Sequence, residues 1–328
     1  MKVVLTLPGV AESMLVIAES TTGEVLYKLP WDDKFIGDDN DNTMPEQASY
    51  GITWNESNVF VTNRRVLLVF DNRLKLVEKY NVLDQNSHQA AMWKNYVVVA
   101  LTRKDSVGLI DINDGSTMLY HPDYGWREDY PTLESNKTLR RDGINREERA
   151  LLNAEQHHIN SVTVVDDKMY FLIHRPSTVV VMDLNTKKEI ERKQIRNISP
   201  MYLLDPMAVQ SVNLSHNIIV DGNSIHSITT NGWIASVPGS DFVPESNLNT
   251  SKYFARGFSG TIEDHTVGCS YRVDKRENRF RNTNHSWLKT PDGLVQLDFK
   301  GVLRDIRRID GIDHGHHNKH LFPFKDAR

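Results

Sequence analysis

Histidine recurs at one position of an internal repeat in this chain. The residues are His88, His158, His216, His265 and His314, each at the start of a strand-like segment, and Tyr50 stands at the sixth equivalent position. Five of the 13 histidines in 328 residues therefore share one repeat position. Neutral imidazole is a common ligand of transition metals. The pattern predicts that a subset of the five binds one divalent transition metal, and imidazoles alone leave iron, zinc and manganese open.

A metal held in this way would polarise a substrate or activate water or dioxygen. Tyr50 would act beside it as a hydrogen-bond donor or as an acid or base. Arg256 would hold a carboxylate or phosphate of the substrate. Asp264 and Asp313, which precede two of the histidines, would orient neighbouring rings. The prediction is a metal-dependent enzyme acting on a small substrate that can be anionic, with oxygenase, lyase and hydrolase chemistry all open.

The elements that would position these side chains also repeat. Four times an apolar run, rich in β-branched residues, ends in aspartate, passes a short turn and resumes as a second strand; the aspartates are Asp71, Asp111, Asp183 and Asp298. Two further strand-like segments precede each of these hairpins. Four antiparallel strands per unit are typical of the blades of a β-propeller. We therefore expect an all-β, six-bladed β-propeller with four-stranded antiparallel blades, which forms a single domain over residues 1–328.

The two ends of the chain supply the sixth unit of this prediction. Residues 2–7, 14–19 and 24–29 resemble the last three strands of a blade, and residues 314–324 resemble a first strand with no successors. Joining the C-terminal strand to the three N-terminal strands would close the ring and leave no open sheet edge.

Three long segments interrupt the strand pattern, at 121–156, 191–212 and 239–263. Each connects the outer strand of one predicted blade to the first strand of the next, so all three would lie on the face that carries the histidines. Long ordered loops on one face usually serve a site. We expect these insertions to form a lid over that face.

The composition of the chain argues against nucleic acid and membranes as partners. The chain has 39 basic and 43 acidic residues, a net charge of −4, so no overall field attracts nucleic acid or an anionic membrane. Its one cysteine, Cys269, precludes an internal disulfide, and it has no run of 18 apolar residues. These features predict a cytoplasmic protein with a small-molecule substrate and neither a nucleic-acid nor a membrane partner. No Walker A, dinucleotide-binding or Gly-x-Ser-x-Gly motif is present.

This layout of hairpins resembles the six-bladed propellers of the NHL and gluconolactonase type, including their closure by both chain ends. Gluconolactonase-like enzymes bind a divalent cation through acidic and amide side chains, whereas the repeated position here carries histidine, so that site is not transferred. A ring of histidines is similar in idea to the four-histidine iron site of carotenoid oxygenases and to the manganese site of oligogalacturonide-type lyases. The resemblance implies the fold only, and the function has to be inferred from the residues of the site.

Three alternatives stay open. In the first, each histidine hydrogen bonds within its own blade and has a structural role. In the second, the protein is a non-enzymatic propeller that binds a protein or a small ligand through its loop face. In the third, the loop that carries Trp126 and Tyr130 binds a sugar.

Overall fold

The computed structural model describes residues 1–7, 13–35, 49–63, 66–81, 87–127, 157–173, 178–194, 215–229, 233–237, 243–244, 253–271 and 285–309. Within these ranges the regular elements are β-strands and two short 3-10 turns, Asp33–Phe35 and Thr102–Lys104. No helix in the described ranges has the length and apolar content needed to cross a bilayer.

The described strands pair into six antiparallel sheets, and in five of them neighbouring strands follow one another in the chain. Sheet 1 contains β4 (Ser49–Trp54), β5 (Asn58–Asn63), β6 (Val66–Asp71) and β7 (Leu76–Tyr80). Sheet 2 contains β8 (Ser87–Trp93), β9 (Tyr96–Leu101), β10 (Ser106–Asp111), β11 (Thr117–His121) and the short β12 (Gly125–Arg127). Sheet 3 contains β13 (Ser161–Val165), β14 (Lys168–Ile173), β15 (Thr178–Asp183) and β16 (Lys188–Gln194).

The remaining sheets complete the set. Sheet 4 contains β17 (Ser215–Asp221), β18 (Ser224–Thr229), β19 (Trp233–Val237) and β20 (Val243–Pro244). Sheet 5 contains β21 (Tyr253–Gly260), β22 (His265–Tyr271), β23 (His285–Thr290) and β24 (Gly293–Lys300). Sheet 6 has the order β25-β1-β2-β3 and contains β25 (Asp305–Arg308), β1 (Lys2–Thr6), β2 (Ser13–Glu19) and β3 (Val25–Pro30).

The burial pattern shows how the sheets stack. Successive side chains of a strand point to opposite faces, yet Val97, Val98 and Val99 of β9 are all fully buried. Both faces of sheet 2 are therefore covered. One cover is sheet 1, from which Phe60 and Leu67 pack against valines of β9 in one apolar cluster. In the outer strand β3, exposed residues instead alternate with half-buried or buried ones, which fits an edge that faces water.

The first strands of the sheets lie side by side. β8 contacts β4 and β13, β17 contacts β13 and β21, and β25 contacts β21 and β4. Face-to-face packing of sheets around a common set of first strands is the arrangement of a propeller. The prediction of an all-β propeller with four-stranded antiparallel blades is confirmed, with β12 as a fifth strand of sheet 2.

Three of the four predicted turn aspartates form turns. Asp71 Oδ1 accepts hydrogen bonds from the backbone N–H of Arg73 and Lys75, both at 2.9 Å. Asp111 and Asp183 accept comparable bonds at 2.8 and 2.7 Å. The interpretation of Asp298 as a turn former is wrong, because Asp298 lies within the continuous strand β24.

That error follows from a misplaced strand in sheet 5. The repeat pattern predicts that this unit starts at residue 265, but the first strand is β21 and residue 265 begins the second. β21 reads YFARGFSG, with no β-branched residue and with Gly257 at a φ of +80°, so it lacks the usual composition of a strand. The predicted insertion at 239–263 therefore includes a blade strand at Tyr253–Gly260.

The chain ends meet through different residues from those expected. β25 pairs antiparallel with β1, from Val3 opposite Arg308 to Thr6 opposite Asp305. The segment 314–324, which the repeat pattern places at this position, lies outside the described residues, as do most residues of the predicted insertions.

Candidate functional site

A cavity opens where the first strands converge. Its described lining, which we call the central cavity, consists of His88, Gln89, Asn160, His216, Asn217, Arg256, Arg304 and Asp305. These residues come from β8, β17, β21 and β25 and from the segments just before β13 and β25. All eight are polar or charged, although they sit beside the apolar interior of the blades.

Gln89 connects three sheets across this cavity. Its side chain is 2% exposed, and its Oε1 accepts a hydrogen bond from the backbone N–H of Val162 at 3.1 Å and a long one from Ile218 at 3.5 Å. These donors belong to β13 and β17, so one amide from sheet 2 ties sheets 3 and 4 together. Buried backbone N–H groups need such acceptors.

Asn217 makes the corresponding connection from sheet 4. Its Nδ2 donates to Asp305 Oδ1 at 2.9 Å, and its Oδ1 accepts from the backbone N–H of Gly257 at 3.0 Å. The residue has a φ of +52°, at an irregularity of β17 between His216 and Ile218. Asparagine tolerates this left-handed conformation better than most residues, which explains its presence in the middle of a strand.

Asp305 is the buried carboxylate of the cavity, with 1% of its surface exposed. Its Oδ2 accepts from the backbone N–H of Ile52 at 3.3 Å and lies 3.4 Å from Arg307 Nε. Arg307, also 1% exposed, donates from an Nη to the carbonyl oxygen of Ala90 at 2.9 Å. The pair therefore links sheet 6 to sheets 1 and 2. Such a buried ion pair needs these extra hydrogen bonds to offset the loss of water.

Among the described residues around the cavity, arginines outnumber carboxylates. Arg256 and Arg304 line it together with Asp305, and Arg307 pairs with that carboxylate. Among the described residues this group has three guanidinium ions and one carboxylate. Arg256 is 6% exposed, and its guanidinium carbon lies 4.2 Å from the ring centroid of Phe254. The arrangement holds positive charge in a poorly hydrated place and attracts anions.

Three of the five predicted metal ligands come together near this cavity. The ring centroid of His88 lies 6.4 Å from that of His158 and 6.4 Å from that of His216, whose ring is nearly parallel to it at 23°. Imidazole nitrogens bind zinc at about 2.0–2.1 Å, which puts the centroids of two ligands of a tetrahedral ion about 5 Å apart. The observed rings are more widely spaced than that.

The hydrogen bonding of His216 also limits its use as a ligand. Its Nδ1 lies 2.9 Å from the side-chain nitrogen of Asn160, which is a donor, so Nδ1 accepts and the neutral ring has its proton on Nε2. In the described part of the chain, no group of three or more His, Cys, Asp or Glu side chains is arranged to hold a metal ion. Metal binding by these histidines stays a prediction.

The other predicted site residues are distributed differently. His265 lies on β22, the second strand of its sheet, where its Nδ1 is 2.9 Å from the carbonyl oxygen of Ile262. Its assignment to the first-strand position was wrong. His314 lies outside the described residues, and Tyr50 lies in β4 with its side chain outside them. Arg256 lines the cavity, from β21 rather than from a lid loop.

Sequence reasoning missed several of the polar residues that line the cavity. Gln89, Asn217 and Asp305 are buried polar side chains in first strands, and Gln89 and Asn217 directly follow histidines of the repeat. A polar residue inside an otherwise apolar strand is the signal that could have identified them, because burial of such a group requires a partner.

Comparisons with known proteins give the fold without a family. No protein-family model matches the sequence, and no curated protein does. A crystal structure of a protein of unknown function from Bacteroides caccae is similar, with 7% identity and a TM-score of 0.55 over 93% of this chain and 97% of that one. The chain is a β-propeller. A chain in the crystal structure of a nidogen/laminin complex is similar to this propeller over 94% of its length and 98% of that chain, with 8% identity and a TM-score of 0.51.

Two buried histidines of the propeller predict a pH dependence of stability. Burial lowers the pKa of His226, on β18, and of His121, at the end of β11; Asp221 and Asp123, respectively, oppose that shift in part. The unfolded chain therefore binds protons first as the pH falls through about 6.5. The contribution of these two histidines to the free energy of unfolding should be fully present above that pH. It should decrease towards pH 5, by up to about 1.4 kcal/mol per pH unit for each histidine.

Urea unfolding at half-unit steps between pH 8 and pH 5 measures this effect, and His226→Gln should flatten the curve. The aspartates with lowered pKa, Asp32, Asp114, Asp167 and Asp183, act only near or below pH 4 and do not interfere. Equal slopes for the wild type and His226→Gln would contradict the assignment.

Proposed function

We propose that the six sheets form one closed ring of six blades, with sheet 6 as the blade that both ends of the chain build. The support is the pairing of β25 with β1 and the contacts of β25 with both β21 and β4. In such a ring the central cavity lies on the propeller axis, around which the first strands of the blades are arranged.

The function that the geometry supports best is binding of a small anion at the central cavity, whose volume of about 10 Å³ is enough for one oxygen of the ligand. The single observation behind it is that, among the described residues, Arg256 and Arg304 line the cavity while its carboxylate, Asp305, is already paired with Arg307. Arginine presents several donors in a fixed planar fork that matches carboxylate and phosphate oxygens. Burial of Arg256 strengthens its attraction for an anion because little water screens the charge.

A metal-dependent enzyme is the second candidate. The observation that favours it is the approach of His88 on β8, His158 just before β13 and His216 on β17. Iron, zinc or manganese would need the rings to move closer together and His216 to release Asn160. In that case the guanidinium groups would hold the anionic part of a substrate while the metal activated water, dioxygen or the substrate itself.

A ligand panel separates the two candidates. Isothermal titration calorimetry at fixed ionic strength would test acetate, succinate, citrate, phosphate and sulfate against the wild type, Arg256→Gln and Arg73→Gln. Arg73 is an exposed arginine of the β6–β7 turn, so its replacement is the matched control. At least one anion should bind the wild type, and Arg256→Gln should weaken it about tenfold to a hundredfold, because a hydrogen bond to a charged group is lost.

Binding of no anion in the panel would contradict the first candidate. Elemental analysis of protein purified without an affinity tag, before and after incubation with iron, zinc and manganese salts, decides the second. Stoichiometric metal that is lost in His88→Ala would support a metal centre, and absence of metal after incubation would exclude it.

A further inference from the structure

The side-chain oxygen of Gln89 accepts hydrogen bonds, whereas its NH2 group has no described acceptor. Two backbone N–H groups, of Val162 and Ile218, point to its Oε1. A backbone N–H can only donate, so the oxygen must be the branch that faces them and the NH2 group must be the other branch. The orientation of this amide is thus fixed by its partners.

The NH2 group of Gln89 has no hydrogen-bond partner among the described residues, although its nitrogen is buried. The whole side chain is 2% exposed and forms part of the cavity wall. A buried donor without an acceptor destabilises the protein, and native structures contain few of them. An orphan donor in the wall of a cavity is explained if an acceptor enters that cavity.

Among the described residues, the other carboxylate and amide oxygens of the cavity wall already accept hydrogen bonds; the oxygen of Asn160 accepts from Ser161 Oγ at 3.3 Å. The oxygens of Asp305 accept from Ile52, Ile306 and Asn217 and face Arg307. The oxygen of Asn217 accepts from Gly257. The remaining requirement of the wall is therefore for an acceptor, and the guanidinium groups of Arg256 and Arg304 favour one with negative charge.

We propose that Gln89 is a specificity-determining residue, whose NH2 group donates to an oxygen of a bound oxyanion, either the carboxylate of a small organic acid or a phosphate. This inference rests on the proposed binding of an anion and names the group that donates a hydrogen bond to one of its oxygens. An acceptor oxygen distinguishes such ligands from halide ions, which are attracted by the same charge but make weaker, undirected contacts.

The substitution Gln89→Glu tests the proposal with little change of shape. Glutamate keeps the oxygen that accepts from Val162 and Ile218 and replaces the NH2 group by a second, negatively charged oxygen. Gln296→Glu, at an exposed position of β24, adds the same charge away from the cavity and is the matched control. Calorimetric titrations of both variants and the wild type with acetate, succinate, phosphate and chloride would be compared at equal ionic strength.

Gln89→Glu should weaken the anion that the wild type binds by at least about tenfold, while Gln296→Glu stays within about twofold. Preference for acetate and succinate would assign a carboxylate, and preference for phosphate would assign a phosphoryl group. Wild-type binding of an anion with unchanged affinity in Gln89→Glu would overturn the role of Gln89 and leave the proposed function intact. Failure of the wild type to bind any anion would overturn both.

A second measurement covers the case in which Gln89→Glu does not fold. In the 15N-labelled wild type, the side-chain NH2 resonances of Gln89 should shift as the bound anion is titrated, because a new hydrogen bond forms at that group. Those resonances should stay unchanged during a titration with chloride. Absence of any shift with the oxyanion would reject the proposal.

Discussion

Replacement of Asp305 by asparagine should lower the free energy of unfolding by about 3–5 kcal/mol. The substitution keeps the shape of the side chain but removes its charge, which leaves the buried guanidinium of Arg307 without the carboxylate that neutralises it. Most of the cost comes from that uncompensated charge rather than from the lost contact itself. Urea denaturation monitored by tryptophan fluorescence measures the change.

A double-mutant cycle identifies the cause. Asp305→Asn combined with Arg307→Met removes both charges and should recover much of the lost stability, since an apolar side chain of similar length costs less in that position. Asp298→Asn, which neutralises an exposed carboxylate of β24, should change stability by less than about 0.5 kcal/mol. A loss below about 1 kcal/mol in Asp305→Asn would show that the ion pair is not what holds these sheets together.

Gly51→Ala should be the other strongly destabilising change, by about 3 kcal/mol or more. A Cβ at Gly51 would lie 2.3 Å from the carbonyl oxygen of His88 and 2.7 Å from the backbone nitrogen of Ala90. Both neighbours are backbone atoms of β8, so the clash can be relieved only by moving β4 and β8 apart. That movement would also disturb Gln89 and the cavity wall.

Gly222→Ala provides the comparison for Gly51. Gly222 has a φ of +58°, and a Cβ at this position would have nothing within 4 Å, so alanine there adds only the backbone cost of about 1–2 kcal/mol. Differential scanning calorimetry of both variants should show the larger decrease of Tm for Gly51→Ala. Equal decreases would mean that the two first strands can separate at little cost.

The repeat of the fold was predictable because apolar strand runs and aspartate turns recur in the chain. Segments such as Val66–Asp71 and Ser106–Asp111 contain β-branched residues and end in turn residues, so local chemistry is enough to identify them. β21 was missed because it contains two glycines and an arginine and has no β-branched residue, so its composition does not indicate a strand. Because the prediction omitted β21, it placed His265 on the first strand of its sheet instead of the second.

The site was predictable only in part, and for physical reasons. His88 and His216 of the repeated position and Arg256 all line the central cavity, Arg256 from a strand instead of the predicted loop, and their predicted roles stay predictions. Gln89 and Asp305 were not identified, because their importance depends on partners in other sheets, such as Ile218 and Asn217. Pairings between residues so distant in the chain leave no local pattern.

The pairing of β25 with β1 has a consequence for how the central cavity forms. Asp305 donates its backbone N–H to Thr6 across 299 residues of chain, and the same short strand contributes Asp305 and Arg307 to the region of the cavity. Contacts of such long range form late, because the chain entropy lost in making them is large. The central cavity is therefore complete only after β25 has paired with β1. A molecule that binds the complete cavity would stabilise this pairing and slow the separation of the two strands.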